Sequence, residues 1–356
     1  MHMADALVSP AVAVTMYAAS AAAAGVSLVQ LHKEETAAPE LAKKKLPTMA
    51  VMSALVFAGQ MINYTIPGTG SSGHLCGGML LSAILGPWAG FLSMIVILAI
   101  QALFFADGGL LTLGANVWNM AFYGCFVGYF LIYRPLMQGR LLAGKGRTKL
   151  VLASVLGCVV TLQLGAFSVV VETSLSGITA LPFGAFAALM QPIHLAIGLV
   201  EGGITAAVLL FVYQTRPELL QCASAGAKNR CSRRAALAIL AAAALVIGGG
   251  LSLLASSNPD GLEWSLFGNE EAGYSANMGL DEEAYGAESA AAEKAAAVQE
   301  KTSLLPDYNF DGSDSAAGTS VSGLVGCALV AALAACISLA GRAARKKSGK
   351  KQASAG

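Results

Sequence analysis

The chain has 356 residues, 56% of them hydrophobic and only 12% charged, and its mean hydropathy is +0.64. Soluble globular domains do not carry that balance, so a water-soluble enzyme is excluded, no nucleic-acid partner is expected, and the chain reads as an all-α, polytopic membrane helix bundle. The net charge of +1 hides a strong segregation, because 20 of the 22 Lys and Arg lie in segments 33–45, 134–149, 216–234 and 342–351.

Apolar runs long enough to cross the ~30 Å hydrocarbon layer, at roughly 20 residues each, are predicted at about 9–31, 46–63, 87–106, 110–133, 149–172, 186–214, 235–256 and 320–341. A shorter run at about 75–86, bounded by Pro87, is read as a short or partial helix that must still cross, which makes nine membrane helices. By the positive-inside rule the basic segments are cytoplasmic. The N-terminus, the loop after the second helix and the acidic segment 257–319 then lie outside, and the C-terminus lies inside. The first run ends in small residues near Ala21–Ala24, as a cleavable leader does. It lacks a basic start, however, and cleavage would discard His2, so it is read as the first membrane helix.

Met1-His2-Met3 opens the chain. The α-amine of Met1, the amide of His2 and the near ring nitrogen of His2 could close a five- and a six-membered chelate ring on one cation. A planar nitrogen site of this kind suits Ni(II) or Cu(II) and needs a fourth ligand. His74 is the candidate, since it lies in the glycine-rich loop YTIPGTGSSGHLCGG (64–78), on the same predicted face. Such a loop is tolerable at the mouth of a bilayer only where it packs inside a bundle. His32, in the polar segment HKEETAAPELAKKK (32–45), has no evident metal partner.

Polar groups at membrane depth are expensive and therefore functional candidates. Asn63 at the end of the second helix, Asp107 in FADGG, His194 and Glu201 are read as groups that could orient a metal ligand. His194 and Glu201 are seven residues apart and share a helix face. Asn116, Asn119 and Glu172 are also set in or beside apolar helices, the two asparagines read as hydrogen bonding between helices. Small-xxx-small pairs such as Gly73/Gly77 and Gly198/Gly202 are bundle packing. The cysteines form no CxxC pair and read as small packing residues. Residues 139–145, GRLLAGK, imitate a phosphate loop, but Gly146 stands where Ser or Thr belongs and no strand precedes it. No ATP site is expected, so ATP-driven work would fall to partner subunits.

Together these stretches carry a resemblance. MHMADALVSP (like MHIPDGxLSP), PGTGSSGHLCGG (like PGGTSGHLLGG), FADGGLLTLGANVWNM and HLAIGLVEGGITAAV resemble the metal-binding S component, of the CbiM/NikM type, of energy-coupling factor transporters for cobalt or nickel. PDGLEW and LLPDY further resemble the small N component of the NikN/CbiN type, here fused on. The expected division is an S component at 1–215, a basic linker at 216–234, a helical hairpin at 235–341 carrying the acidic loop 257–319, and a basic tail at 342–356. The resemblance implies a site built from the Met1 amine, the His2 amide and ring, and His74, with Ni2+ or Co2+ as transported substrate. It also implies a transmembrane coupling protein (CbiQ/NikQ-like) and two cytoplasmic ATPases (CbiO/NikO-like) as partners in the cell membrane. Met3 for Ile, Ala4 for Pro and Asp5-Ala6 for Asp-Gly depart from the pattern, though no ligand atom is lost. A metal sensor or scaffold that binds without transporting, and a membrane metalloenzyme, are the competing readings.

Overall fold

A computed structural model describes residues 1–139, 141, 146–178, 181–222, 229–274, 289–310 and 315–353, with residues 41, 42 and 338–353 as backbone only. Residues 140 and 142–145 of the phosphate-loop imitation, residues 223–228 of the linker and the acidic stretch 275–288 lie outside the described residues.

Helix α1 (Pro10–Ala37) starts where Ser9 Oγ accepts from Val12 N and proline occupies the first turn. Helix α2 (Pro39–Gln60) returns beside it. A two-stranded antiparallel hairpin follows, β1 (Tyr64–Ile66) with β2 (Ser71–Gly73), Thr65 opposite Ser72. Helix α3 (Gly78–Leu85) is eight residues long and buried throughout. Helix α4 (Pro87–Phe104) runs back. Next come α5 (Leu113–Met137), α6 (Gly146–Ser176) and α7 (Phe183–Thr215). The middle of α5, Val117–Tyr133, is wound with the wider π-type turn, as when Arg134 N donates to Tyr129 O, five residues back.

Among the described residues six helices are long and apolar enough to span a bilayer: α1, α4, α5, α6, α7 and the last helix over Ala316–Ile337. Helix α3 is not one of them. Eight residues rise about 12 Å, far short of the ~30 Å needed. The run expected to cross at 75–86 is a partial helix only: residues 74–77 lead from the hairpin into α3, whose far end reaches Gly86. Both ends of α3 are glycines in the left-handed φ region, Gly77 at φ 83° and Gly86 at φ 86°. At Gly86 the chain meets segment 217–222, where Gln221 N donates to Ala83 O (2.8 Å) and Tyr133 Oη donates to Gln221 O (3.1 Å). The ends of α3, α5 and α7 therefore share one end of the bundle. Arg233 donates to Lys44 O and Thr48 Oγ1, which brings the start of α2 to that end as well.

The last third adds α8 (Arg233–Gly249), α9 (Gly261–Phe267), α10 (Ala290–Thr302) and α11 (Ala316–Ala353). Backbone-close packing joins α8 to α11: a Cβ on Gly323 would lie 1.9 Å from Gly248 O. Helix α11 also packs on α2, where Gly326 would collide with Phe57 Cζ at 2.1 Å if it carried a Cβ. Helices α9 and α10 and the turn Pro306–Tyr308 lie over the opposite end of the bundle, where α2 and α4 end. Helix α10 forms within the expected acidic loop 257–319, and α11 continues through the expected basic tail to Ala353. His32 is exposed on α1.

Candidate metal centre

The first five residues run as a thread into that end of the bundle, and backbone pairing explains why they stay there. Met3 N donates to Asn116 Oδ1 (2.8 Å). Met3 O accepts from Thr112 Oγ1 (2.6 Å), Asn116 Nδ2 (3.2 Å) and Gly109 N (3.0 Å). Asp5 Oδ1 then accepts from Thr112 N (3.0 Å). Met1 and Met3 are 5% and 0% exposed, so these bonds sit in an apolar surround, where leaving a peptide group unpaired is costly.

The hairpin loop is aimed by a second set of bonds. The Glu201 carboxylate accepts from Cys76 N (3.0 Å) and Gly77 N (2.9 Å), and Gln60 Nε2 donates to Cys76 O (2.8 Å). His74 Nδ1 donates to Leu75 O (3.1 Å), which makes Nε2 the acceptor of the ring. Nε2 lies 3.3 Å from the Met1 nitrogen and accepts its hydrogen bond. Two nitrogens bound at right angles to one ion, each at about 2 Å, would stand about 2.9 Å apart, so this pair is close to the spacing that shared ligation requires.

His2 stacks on His74, ring centroids 5.1 Å apart. Its near nitrogen does not point to the amine as the chelate expects. Nδ1 instead faces Asp107 Oδ1 at 3.1 Å, the strongest acceptor within its reach, and Nε2 is buried without a partner. Asp107 is held in turn by Tyr308 Oη, which donates to Oδ2. Among the described residues no three His, Cys, Asp or Glu side chains stand at metal-ligating spacing, so a metal here needs terminal or backbone nitrogen as well.

The last third also reaches the centre. Asp260 caps α9, its Oδ1 accepting from Leu262 N and Glu263 N while Glu263 Oε2 accepts from Asp260 N. Its other oxygen, Oδ2, takes the Met1 amine at 2.7 Å. Burial pushes the amine pKa down, but the charge and hydrogen bond of Asp260 outweigh that and hold it above its usual value. Burial, with the Met1 ammonium and His2 beside it, pushes His74 down to about 3. Asp260 is held well below the usual carboxylate range by the Met1 ammonium and His74, against the effect of burial. The resting arrangement is thus an ammonium paired to a carboxylate, with a neutral imidazole beside it.

The remaining sequence candidates fall into distinct places. His194 lines a small pocket of about 10 Å³ together with Met1, His74 and Asp260; its Nδ1 donates to Met190 O and its Nε2 has no partner. Glu201 holds the His74 loop rather than facing the amine. Asn63 borders a larger cavity, and its carbonyl accepts from Ser256 N.

Comparison with known proteins bears on what such a centre serves. The family described as cobalt uptake substrate-specific transmembrane region, CbiM, matches residues 2–219. The chain belongs to the CbiM family. The PDGLE domain matches residues 234–343. This CbiM-family chain is 34% identical over 337 residues to a protein of Archaeoglobus fulgidus bearing the name fused nickel transport protein NikMN, covering 94% of this chain and 96% of that one. It is 36% identical over 174 residues to the cobalt transport protein CbiM of Sorangium cellulosum, covering 49% and 76% of the two chains. A crystal structure of a truncated transition metal transporter superposes with a TM-score of 0.50 at 34% identity, covering 60% of this chain and 98% of that one. The chain is a membrane component of metal uptake, and its fusion of a CbiM region to a PDGLE domain is as the resemblance implied.

Sequence reasoning left Asp260, Gln60, Thr112 and Tyr308 without a part in the centre. Asp260 carried a local signal, the Asp-x-x-Glu spacing of a capping box, but that spacing announces a helix start and nothing about an amine 259 residues away.

Proposed function

We propose that this chain is the substrate-capture component of an energy-coupling factor importer for Ni2+ or Co2+. The cation is taken from the outer face by the Met1 amine, the His2 amide and ring, and His74. One observation carries the reading: a buried terminal amine 3.3 Å from the His74 Nε2 lone pair that accepts its hydrogen bond, at the end of a thread whose backbone is bonded on both sides. Binding displaces the ammonium proton and the His2 amide proton, and the His2 ring turns its near nitrogen from Asp107 to the ion. Residues 1–215 form the capture bundle, and 235–341 form an accessory hairpin whose Asp260 turn sits on the site. The basic end faces the cytoplasm, where a coupling protein and two ATPases supply the work, with no ATP site in this chain.

The test is nickel or cobalt titration of the purified full chain by calorimetry. Inserting one residue between Met1 and His2, or changing His74→Ala, is expected to abolish stoichiometric binding while helical circular dichroism is unchanged. Stoichiometric metal retained by either variant would sink the site. Energised metal accumulation in cells that also express the ATPase partners separates an importer from a sensor, which would bind metal and move none.

A further inference from the structure

Two spaces of very different size meet at His74. The inner one, beside Met1 and His194, has a volume of about 10 Å³. The outer one measures about 450 Å³ and is bordered by both modules. A hexahydrated divalent ion carries six waters, and at about 10–15 Å³ per water in the same measure it needs about 60–90 Å³. It fits the outer space and not the inner one, so a cation must shed water between them.

The lining of the outer cavity is acidic. Asp107 from the bundle and Asp260, Glu263 and Asp307 from the last third all border it, and none of its lining residues is Lys or Arg. The carboxylates are graded in depth: Glu263 and Asp307 are exposed at the rim, while the Asp107 and Asp260 side chains are 24% and 16% exposed. Asp307 is brought there by strained backbone, with φ 50° followed by φ 57° at Tyr308 and Asp307 N bonded to Phe105 O. A second observation points to an occupant. Gln60 lines the cavity and is 5% exposed; its Nε2 is committed to Cys76 O, and its Oε1 has no partner. His2, its side chain 9% exposed, lines the same cavity with an unpartnered Nε2. Buried acceptors of this kind are normally satisfied; both atoms are closed to water at rest, and a side-chain rotation toward the cavity would present them to the waters of a hydrated cation. The acids do not converge as ligands of one bare ion, since no three such side chains among the described residues stand at ligating spacing.

Resting on the function proposed above, we infer that the cavity between the CbiM region and the PDGLE domain is an outer-sphere capture site for a hydrated divalent cation. The ion is held there through its waters by Glu263, Asp307, Asp107 and Gln60 before it is stripped at the nitrogen ligands. Two of these carboxylates come from the PDGLE domain, so the capture site is incomplete without it. The acids attract and concentrate the cation, whereas the nitrogens set how tightly it stays; capture acids therefore govern association and not dissociation.

The experiment is stopped-flow binding of Ni2+ to the full chain in nanodiscs of neutral lipid. The variants are the double substitution Glu263→Gln with Asp307→Asn and the charge-keeping pair Glu263→Asp with Asp307→Glu. Gln can still accept the capping hydrogen bond, and Asn tolerates the left-handed backbone of position 307. At low ionic strength the neutral double variant should associate about tenfold more slowly, with its dissociation rate unchanged. The difference should shrink as salt screens the cavity, and the charge-keeping pair should stay near the wild-type rate. An unchanged association rate overturns the inference, as does a dissociation rate that rises by the factor expected for association. Both outcomes leave the nitrogen site standing. A wild-type chain that binds no Ni2+, or a His74→Ala chain that binds it fully, overturns the site and this inference together.

Discussion

The N-terminal thread and the PDGLE turn are both irregular segments that end on the Met1 amine, yet they are held in different ways. The thread is fixed through its own backbone, Met3 bonded at N and O by Asn116 and Thr112 in a buried setting. The turn is half-buried and leans on a buried serine: Ser72 N donates to Pro259 O (2.8 Å), Ser72 Oγ donates to Asn258 O (2.8 Å), and Asp260 meets the amine. Breaking a buried peptide bond partner leaves a group that water cannot reach, whereas a bond to the half-buried turn can be replaced by water. The contrast separates what constructs the nitrogen cluster from what sits over it.

Asn116→Leu should break the thread hardest. It strips Met3 N of its partner and removes one of those on Met3 O, each worth about 1–3 kcal/mol when buried. Nickel affinity by calorimetry should therefore fall at least tenfold while the helix content holds. Glu201→Gln comes next: the amide can accept from only one of Cys76 N and Gly77 N with its oxygen and sets an N–H against the other. A loss of about 1–2 kcal/mol in metal affinity is expected, with the His74→Ala chain as the fully inactive reference.

Asp260→Asn tests the turn through pH. Asp260 holds the Met1 amine above its usual pKa, and metal competes with that proton, so wild-type binding should weaken as pH falls. Removing the carboxylate lowers the amine pKa. The midpoint of a nickel-binding pH titration should then move to lower pH, and a shift upward would contradict the pairing. The smallest effect is expected from Ser72→Ala, which removes a buried hydroxyl bonded to Asn258 O and Pro259 O. Metal affinity should change less than about threefold, because both carbonyls belong to a half-buried turn that water can reach and Ser72 N still bonds Pro259 O.

Much of the fold was legible because membrane helices announce themselves locally. Composition and run length located α1, α4, α5, α6 and α7 to within a few residues, and the resemblance carried by MHMADALVSP and PGTGSSGHLCGG led to the family. Helix α3 was less legible. Its apolar run looked like a short crossing, and only the tertiary structure shows an eight-residue helix buried between α2, α4 and α5. Asn116 and Asn119 are expected to bond between helices; Asn119 does, its Nδ2 donating to Glu172 Oε2 on α6 at 2.7 Å, whereas Asn116 serves Met3. No spacing rule relates an asparagine to a terminus more than a hundred residues earlier.

By itself the sequence determined class, helix content, the segregation of basic residues and the nitrogen atoms available at Met1, His2 and His74. Each of these follows from residue type and local order along the chain. Only the tertiary structure decided that the amine rests on Asp260, that the near nitrogen of His2 turns to Asp107, and that Gln60, with an unpartnered oxygen, borders an acidic cavity. Those facts depend on which distant groups share a buried space of low dielectric, where each polar atom takes the strongest partner within reach, and reach is set by packing.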